Sequence, residues 1–361
     1  MKLRIGIVGT GQTIGVATDH LKGIQAVPQW DLTAVFDINK ENARSWVERN
    51  ALSSEIICQS LDSLLGKVDA IAICTDNLSH GAIAREAIKR KLHVLCEKPL
   101  SINYYESKLL ADEAEQAGII HYMGMQYRYH PYAQLIKELI QGGKLGDIFS
   151  YRHKLGGSRI GNPNVGLEWR MKKEHSGPGS VADFGIHQVD LIQFFLSDVC
   201  GEIQDVQAAL GTFITSRHTE EGKQAVTNDD LASVILRMEN GAICTLNNSR
   251  LLPQEGDGLE IVGTKGAVSM NKDGEVYFRS RTENGAWADE LVHMTIQEKH
   301  VFPGLARGKQ YAEFYDAIVH DKPHELSFAY GAKAAKVIDA AVLSSEKGIR
   351  VPLLENKLTS Y

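Results

Sequence analysis

The chain has 361 residues, of which 43% are hydrophobic and 23% charged, and its formal net charge is −6. This length is enough for about two domains with sizeable cores. The acidic balance argues against a nucleic-acid-binding protein, which usually has a basic surface. No apolar run approaches the roughly 20 residues that cross a membrane. We therefore expect a globular protein with neither nucleic-acid nor membrane partners.

The N-terminal stretch and the cysteines indicate the compartment. Residues 1–11, MKLRIGIVGTG, enter a strand directly, which is not the pattern of a secretory signal peptide. The five cysteines are widely spaced and include no C-x-x-C pair, so they are typical of reduced thiols. We expect a cytoplasmic protein without a metal site.

The first 125 residues alternate strand and helix patterns. The strands are apolar along their whole length, which is typical of a parallel sheet covered by helices on both faces. This pattern predicts a doubly wound α/β domain of the Rossmann type over residues 1–125. Strands are predicted at 3–9, 31–37, 70–75, 93–97 and 119–125, and helices after the first strand and at 40–50, 80–91 and 107–118.

The remaining residues, 126–361, have a different pattern. Several strand candidates follow one another without intervening helices, and the short turn at Asn240-Gly241 indicates a hairpin. We predict an α+β domain with a large, open, mainly antiparallel sheet. Its helices are predicted at 131–141, 181–196, 309–321 and 327–347, and its strands at 147–155, 203–211, 231–238, 242–249, 258–263, 266–270 and 275–280.

A glycine-rich turn after the first strand indicates a dinucleotide site. Gly9 and Gly11 stand where a G-x-G-x-x-G fingerprint needs them, although the third glycine is displaced by one, to Gly15. Alternatively, the segment is a strand–helix turn without a ligand. Asp37 ends the second strand, where a carboxylate accepts from a ribose 2′-hydroxyl and repels a 2′-phosphate. The pattern favours NAD over NADP.

Two polar turns follow later strands at the same edge of the predicted sheet. Thr75-Asp76-Asn77 follows strand 70–75, and Glu97-Lys98-Pro99 follows strand 93–97. Ligands of open α/β sheets bind at the carboxyl ends of the strands, and a proline after a strand sets the turn. We expect Thr75 and Asn77 to line the cofactor and Lys98 to face the substrate. The alternatives are simple turn residues and a solvated lysine.

A helix in the second region has acid and base on one face. Asp183 and His187 are four residues apart, and Asp190 lies one further turn along. An exposed pair or a charge near the helix start is the alternative. A histidine beside a carboxylate, across a cleft from a lysine, suits proton transfer near neutral pH.

These motifs, in this order, make nearly the whole chain resemble the Gfo/Idh/MocA oxidoreductases, the family of glucose–fructose oxidoreductase and inositol dehydrogenase. Three departures are a Gly-Pro-Gly run in place of three glycines, Asp76 where proline is common, and a few extra residues in the first glycine loop before His20. The matching segments are the N-terminal Gly-x-Gly turn, TDNLSH (75–80), EKP (97–99), QYRYHP (126–131), EWR (168–170), GPGSVADFGIHQVD (177–190), EIVGTKGAV (260–268) and AAVLSSEKGIRVPL (340–353).

The resemblance implies roles for particular residues. Lys98, Asp183 and His187 would be catalytic, and Glu97 would approach the nicotinamide ribose. We also expect Tyr127 to contact the substrate together with the catalytic residues. In the Gly/Asn-rich loop 156–168, Arg159 and Asn162 could contact substrate hydroxyls, and a simple flexible loop is the alternative. The implied cofactor contacts are Gly9, Thr10, Gly11, Thr13, Ile14, Asp37, Thr75, Asn77, His80, Glu97, Lys98, Gln126, Trp169 and Arg170.

We therefore predict an NAD-dependent dehydrogenase that interconverts a secondary alcohol and a ketone on a sugar or cyclic polyol. One alternative is a redox-neutral enzyme that retains NAD and cleaves a glycosidic bond. Another is a ligand sensor that binds NAD without catalysis. The family also implies a homodimer or homotetramer, for which the open sheet would be a natural surface.

Overall fold

The computed structural model describes residues 1–11, 15–251, 258–288 and 302–353. These ranges contain eleven α-helices and sixteen β-strands. The helices are α1 (Val16–Gln25), α2 (Lys40–Arg49), α3 (Leu61–Leu65), α4 (Asn77–Lys89), α5 (Tyr104–Ala117), α6 (Pro131–Gln141), α7 (Lys173–Ser176), α8 (Ser180–Asp183), α9 (Gly185–Cys200), α10 (Phe302–Val319) and α11 (Phe328–Lys347). The strands are β1 (Leu3–Val8), β2 (Trp30–Phe36), β3 (Ala70–Ile73), β4 (His93–Cys96), β5 (His121–Met123), β6 (Ile148–Gly156), β7 (Ile203–Gly211), β8 (Ser216–Thr219), β9 (Gly222–Ala225), β10 (Leu231–Met238), β11 (Ile243–Ser249), β12 (Gly258–Gly263), β13 (Gly266–Asn271), β14 (Val276–Arg281), β15 (Trp287–Ala288) and β16 (Val351–Pro352).

The first sheet confirms the predicted doubly wound α/β domain. In the described part of the chain its five strands have the order β2-β1-β3-β4-β5, and all pairings are parallel. Ile5 and Ile7 of β1 are fully buried, as apolar strands covered on both faces must be. The order in which strands are added to the sheet reverses between β1 and β3. The carboxyl ends of these two strands form the crevice where such sheets bind ligands.

Helix α10 belongs to the compact unit that contains this sheet. The chain divides after Gln126, and the first unit also includes α10 and the start of α11, up to Ala335. On α10, Phe314 stacks on Trp30 with ring centroids 5.5 Å apart. A Cβ at Gly23 would lie 2.6 Å from Arg307 Cβ, so α1 and α10 pack in close contact. The division at residue 125 stays a prediction, but it placed α10 in the second range, because helical periodicity does not show which sheet a helix packs on.

The second unit confirms the large, mainly antiparallel sheet. Among the described residues its order is β15-β14-β13-β12-β6-β11-β10-β7-β16, and every pairing is antiparallel except that of β6 with β11. Buried and exposed residues alternate along β10, which is the pattern of a sheet with one covered face. Helices α8 and α9 pack on the covered face, and Phe149, Ile235 and Ile243 are exposed.

The helix that carries Asp183 and one polar hairpin differ from the predicted elements. The helix predicted over 181–196 consists of α8 and α9, which meet at Phe184. A hairpin of β8 and β9 forms a separate two-stranded sheet in the described residues, where no strand was predicted. Its strands are only four residues long and mostly polar, so they have no apolar alternation that sequence reasoning could detect.

Candidate active site

The loop after β1 is held by the carboxylate that follows β2. Gly9 has φ +91°, which L side chains rarely adopt, and a Cβ there would lie 2.8 Å from the backbone nitrogen of Thr75. Thr10 is fully buried. Its backbone N–H and its hydroxyl both donate to Asp37 Oδ2, at 2.7 and 3.0 Å. Asp37 therefore fixes the glycine loop, a role that its spacing did not indicate.

The geometry around this loop fits a dinucleotide. A side chain at Gly11 would meet no atom of the described residues within 4 Å, so these residues leave space for a ligand to approach the backbone closely. Asp37 Oδ1 accepts from the Asn39 N–H at 2.9 Å and from Asn42 Nδ2 only at 3.5 Å. Because 3.5 Å is at the limit of a hydrogen bond, a ribose hydroxyl could replace Asn42 as the second donor to this oxygen.

Other predicted cofactor contacts lie at neighbouring strand ends or outside the described residues. Gln126 follows β5, and its Oε1 is buried without a donor in the described part of the chain. A ligand amide or hydroxyl could supply that donor. Asn77 is the first residue of α4, after β3. Thr13 and Ile14 lie outside the described residues.

His80, on α4, connects the turns that follow β3 and β4. Its buried ring places Nδ1 at 2.7 Å from the Pro99 carbonyl oxygen and Nε2 at 3.3 Å from that of Thr75. Burial lowers the pKa of His80, so the ring is neutral at pH 7 and donates one N–H. The shorter distance assigns that N–H to Pro99. His80 therefore holds the turn that carries the half-buried Lys98, and its predicted cofactor contact stays a prediction.

Glu97, beside Lys98, is held by two buried side chains. Its Oε1 lies 2.9 Å from His20 Nε2 and pairs with Arg307. Burial alone would raise the pKa of Glu97, but the charge of Arg307 and the hydrogen bond with His20 outweigh it and hold that pKa well below its usual range. Burial lowers the pKa of His20, whose Nδ1 lies 2.7 Å from the Tyr311 hydroxyl. Glu97 is therefore ionised, and its approach to a ribose stays a prediction.

In the second unit, Asp183 and His187 lie at the junction of α8 and α9. The His187 backbone N–H donates to the Phe184 carbonyl at 3.1 Å. His187 is 4% exposed, and its ring meets that of Tyr127 edge to face, with centroids 4.2 Å apart. The Asp183 side chain is 29% exposed. The junction therefore brings together an accessible carboxylate, a shielded imidazole and the predicted substrate residue Tyr127.

Asp229 caps the helix that carries Asp183. Its Oδ1 accepts from the Gly179 N–H at 2.6 Å, and its Oδ2 accepts from the Val181 N–H at 2.9 Å and the Ser180 hydroxyl at 2.6 Å. A Cβ at Gly179 would lie 1.9 Å from the Asp229 carbonyl oxygen. The last glycine of the Gly-Pro-Gly run is therefore required by this close approach.

Asp190, on the same helix face by spacing, forms a buried ion pair. Its Oδ1 accepts from Arg128 Nε at 3.2 Å and from Nη2 at 2.6 Å, and both side chains are almost fully buried. Arg128 Cζ also lies 5.0 Å from the centroid of the Phe194 ring. The pair fastens the turn Tyr127–Tyr129 to α9, which keeps Tyr127 against His187.

The Trp169-Arg170 turn offers a hydrogen-bond donor to a ligand. Arg170 Cζ lies 4.2 Å from the Trp169 ring centroid, and Nη1 is buried with no acceptor among the described residues. Burial lowers the pKa of Arg170, and an acceptor from a bound ligand would satisfy Nη1. Arg159 donates to both carboxylate oxygens of Glu168, at 2.6 and 2.7 Å. The predicted ligand contacts of these residues stay predictions.

The Gly/Asn-rich loop 156–168 is braced by the hairpin that sequence reasoning missed. Arg217 of β8 is 2% exposed and donates to the carbonyl oxygens of Asn162, at 2.6 Å, and Ile160. Ile160 packs in a small buried cluster with Met171 and Val226. The loop therefore has a core of its own, and this supports a defined position for its Arg159.

Three functional side chains were not predicted. They are Asp229, Arg307 and Arg250, whose Nη2 lies 3.5 Å from Asp183 Oδ2. Arg250 and Asp183 are 67 residues apart in sequence, and Asp229 is 50 residues from Gly179. No local spacing connects such pairs. The one available signal was the polar run Asn228-Asp229-Asp230 immediately before an apolar strand.

No helix in the described part of the chain has the length and apolar character that crossing a bilayer requires. Within the same residues, no group of three or more His, Cys, Asp or Glu side chains is arranged to hold a metal ion.

Comparison with known proteins identifies relatives over both units. A family model described as an oxidoreductase family with an NAD-binding Rossmann fold matches residues 3–125, and a GFO/IDH/MocA C-terminal domain model matches residues 133–269. Glucose-6-phosphate 3-dehydrogenase of Bacillus subtilis is 31% identical over 73% of this chain and 72% of its own length. Levoglucosan dehydrogenase of Pseudarthrobacter phenanthrenivorans is 29% identical over 78% of each chain. A solved levoglucosan dehydrogenase, in complex with NADH and L-sorbose, superimposes with a TM-score of 0.87 at 25% identity over 98% of this chain and 100% of that one.

Proposed function

Because the chain belongs to the Gfo/Idh/MocA oxidoreductase family and has its NAD-binding Rossmann domain, we propose that it is an NAD-dependent dehydrogenase of a sugar or cyclic polyol. It interconverts a secondary alcohol and a ketone. The observation that carries the proposal is that one chain contains a lysine, a carboxylate and a histidine suited to proton transfer. Lys98 lies in the turn after β4, at the carboxyl edge of the dinucleotide-binding sheet, and Asp183 and His187 lie at the junction of α8 and α9 in the second unit. The relatives named above are sugar dehydrogenases, which supports this substrate class.

NAD, when bound, supplies the hydride acceptor. The protein's own residues manage the hydroxyl proton and orient the alcohol. His187 takes the hydroxyl proton, and Lys98 donates a hydrogen bond to the same oxygen as charge develops on it. Asp183 orients this pair. Lys98 is the alternative base, and Tyr127 and Arg159 contact the sugar hydroxyls.

The test follows NADH formation by absorbance with inositols, aldoses and sugar phosphates, using NAD and NADP separately. The wild type is expected to turn over at least one polyol with NAD. Lys98→Ala and His187→Asn each lose about 100-fold or more in kcat/KM, the usual contribution of general acid–base groups. Lys108→Ala is the matched control, since Lys108 is an exposed lysine on α5 paired with Asp112. It should leave turnover unchanged.

Four outcomes count against the proposal. Full activity of Lys98→Ala would remove the site assignment. Preference for NADP would overturn the role of Asp37. Tightly retained NAD without net reduction by any alcohol would favour the redox-neutral glycoside-cleaving enzyme, and nucleotide binding without any turnover would favour the ligand sensor.

We further propose that the enzyme is cytoplasmic and acts as a homodimer or homotetramer without a nucleic-acid partner. The five cysteines are all free thiols, which is typical of a reducing compartment. The exposed Phe149, Ile235 and Ile243 lie on strands of the large sheet, where a second copy would cover them. Light scattering after size exclusion measures the state directly, and a monomer would refute the oligomer.

A further inference from the structure

Arg250 is a buried charged residue in contact with the carboxylate of Asp183. It follows β11, is 4% exposed, and places Nη2 at 3.5 Å from Asp183 Oδ2. Its Nη1 donates to the Arg170 carbonyl at 2.8 Å and to Asn228 Oδ1 at 3.3 Å. Its backbone N–H donates to the Asp230 carbonyl at 2.8 Å. The guanidinium is therefore fixed from both sides.

The neutral partners of Arg250 are themselves anchored. Asn228 Nδ2 donates to the Arg170 carbonyl and to the Ser176 hydroxyl, both at 2.8 Å. These partners orient the guanidinium but do not balance its charge. A buried cation requires a nearby anion, because desolvation without one is costly. The Asp183 carboxylate lies nearest to the guanidinium and supplies such a charge. Arg159 and Arg170 also interact electrostatically with Asp183, and Glu168 interacts in the same way with Arg250.

We propose that Arg250 is a positioning residue of the reaction: it keeps the Asp183 carboxylate ionised and in one orientation. Its catalytic consequence rests on the proposed function, in which Asp183 orients the proton-transferring pair. Arg250 also donates to the carbonyl of Arg170, in the turn predicted to contact the cofactor. The Arg250 side chain therefore links the Trp169-Arg170 turn to the Asp183 carboxylate.

The direct test measures the ionisation of Asp183 without relying on activity. Protein labelled with ¹³C at aspartate carboxyl carbons is titrated by NMR, and Asp183→Asn identifies the signal by its loss. In the wild type, the Asp183 titration midpoint is expected below the ordinary aspartate value of about 3.9. In Arg250→Gln, which can still donate to the Arg170 carbonyl, the midpoint rises by about 1 pH unit or more.

Kinetics then test the catalytic consequence. The acidic limb of the kcat/KM profile for Arg250→Gln moves to higher pH, in the same direction as the Asp183 titration midpoint. Arg250→Lys partly returns the acidic limb to its wild-type pH, because lysine keeps the positive charge but lacks the planar guanidinium geometry. Arg237→Met is the control: Arg237 lies on β10 and pairs with Asp205 instead.

The outcomes separate this inference from the proposed function. An unmoved Asp183 signal in Arg250→Gln overturns the inference, even if the wild type oxidises a polyol. A moved signal with no turnover of any sugar supports the Arg250–Asp183 link while the dehydrogenase proposal fails. If Arg250→Gln does not fold, the wild-type titration decides alone: an Asp183 midpoint at or above the ordinary value overturns the inference.

Discussion

The Glu97 carboxylate forms a buried ion pair with Arg307, which connects the turn after β4 to helix α10. The exposed fractions of these side chains are 8% and 4%, and the adjacent residue is Lys98. A Cβ at Gly124 would lie 2.6 Å from Glu97 Oε1, so the carboxylate also packs directly on backbone. The position of the predicted catalytic lysine thus depends on a helix that is distant in sequence.

Arg307→Met should destabilise the first unit by about 3 kcal/mol, because it leaves the buried Glu97 carboxylate without its cation. Urea unfolding followed by tryptophan fluorescence measures this loss, since Trp30 and Trp46 lie in that unit. Combining Arg307→Met with Glu97→Gln should recover part of it. Arg44→Met removes an exposed pair with Glu41 and should cost less than about 1 kcal/mol. Equal losses in the two arginine variants would contradict the role of the buried pair.

Gly179→Ala should reduce kcat/KM by about 100-fold, the scale of a displacement near 1 Å at a catalytic group. The added Cβ would overlap the Asp229 carbonyl and push α8, with Asp183, out of place. Steady-state kinetics and circular dichroism are measured together, so that a folding defect is recognised. Gly66→Ala is the control, because its Cβ would lie 3.7 Å from the nearest atom. Wild-type kinetics in Gly179→Ala would show that this close approach does not position Asp183.

Asp37→Ser should raise the ratio of kcat/KM for NADP to that for NAD by at least about tenfold, equivalent to about 1.4 kcal/mol of relieved repulsion. Affinity for NAD should also fall, since Thr10 loses its carboxylate acceptor. Initial rates with each dinucleotide give the ratio. Asp31→Ser, at the exposed start of the same strand, should leave the ratio unchanged. A ratio that is insensitive to Asp37 would restrict this residue to holding the loop.

His153 should make the second unit sensitive to acid. Burial lowers the pKa of His153 to about 3, below the ordinary value of about 6.5. The unfolded state therefore binds the proton first, and stability present above pH 6.5 is lost as the pH falls toward 3. At pH 4.5 the titration of His153 alone lowers the free energy of unfolding by an amount on the order of 2 kcal/mol.

Thermal unfolding of wild type and His153→Gln at pH 7.5 and 4.5 checks this dependence. The variant should lose less stability between the two values than the wild type does. His320→Gln, an exposed histidine on the C-terminal side of α10, should follow the wild type. Parallel curves for all three proteins would mean that His153 does not contribute to acid sensitivity.

Much of the fold was predictable because its signals are local. Continuous apolar runs at β3 and β4 indicated a parallel sheet, and alternation along β10 indicated a half-exposed antiparallel one. The hairpin of β8 and β9 was missed because its strands are short and polar. The packing of α10 in the first unit was not predicted, because helical periodicity does not depend on which sheet a helix packs against.

The candidate site divides in the same way. Asp37 was found from its distance to the glycines, yet its bonds to Thr10 were not, since they require the ends of β1 and β2 to be adjacent. Asp183 and His187 were found by helical spacing. The cap from Asp229 and the contact from Arg250 were not found, because these residues lie just before β10 and just after β11, far from Asp183 in sequence.

The sequence by itself determined the two fold classes, the carboxyl-edge motifs and the family resemblance, since all three depend on residue types at short, regular spacings. Only the tertiary structure decided which charges meet. Glu97 pairs with Arg307 and Asp183 contacts Arg250. The physical reason is that an ion pair depends on separation in space, and chain segments far apart in sequence become neighbours only when strands pair and helices pack.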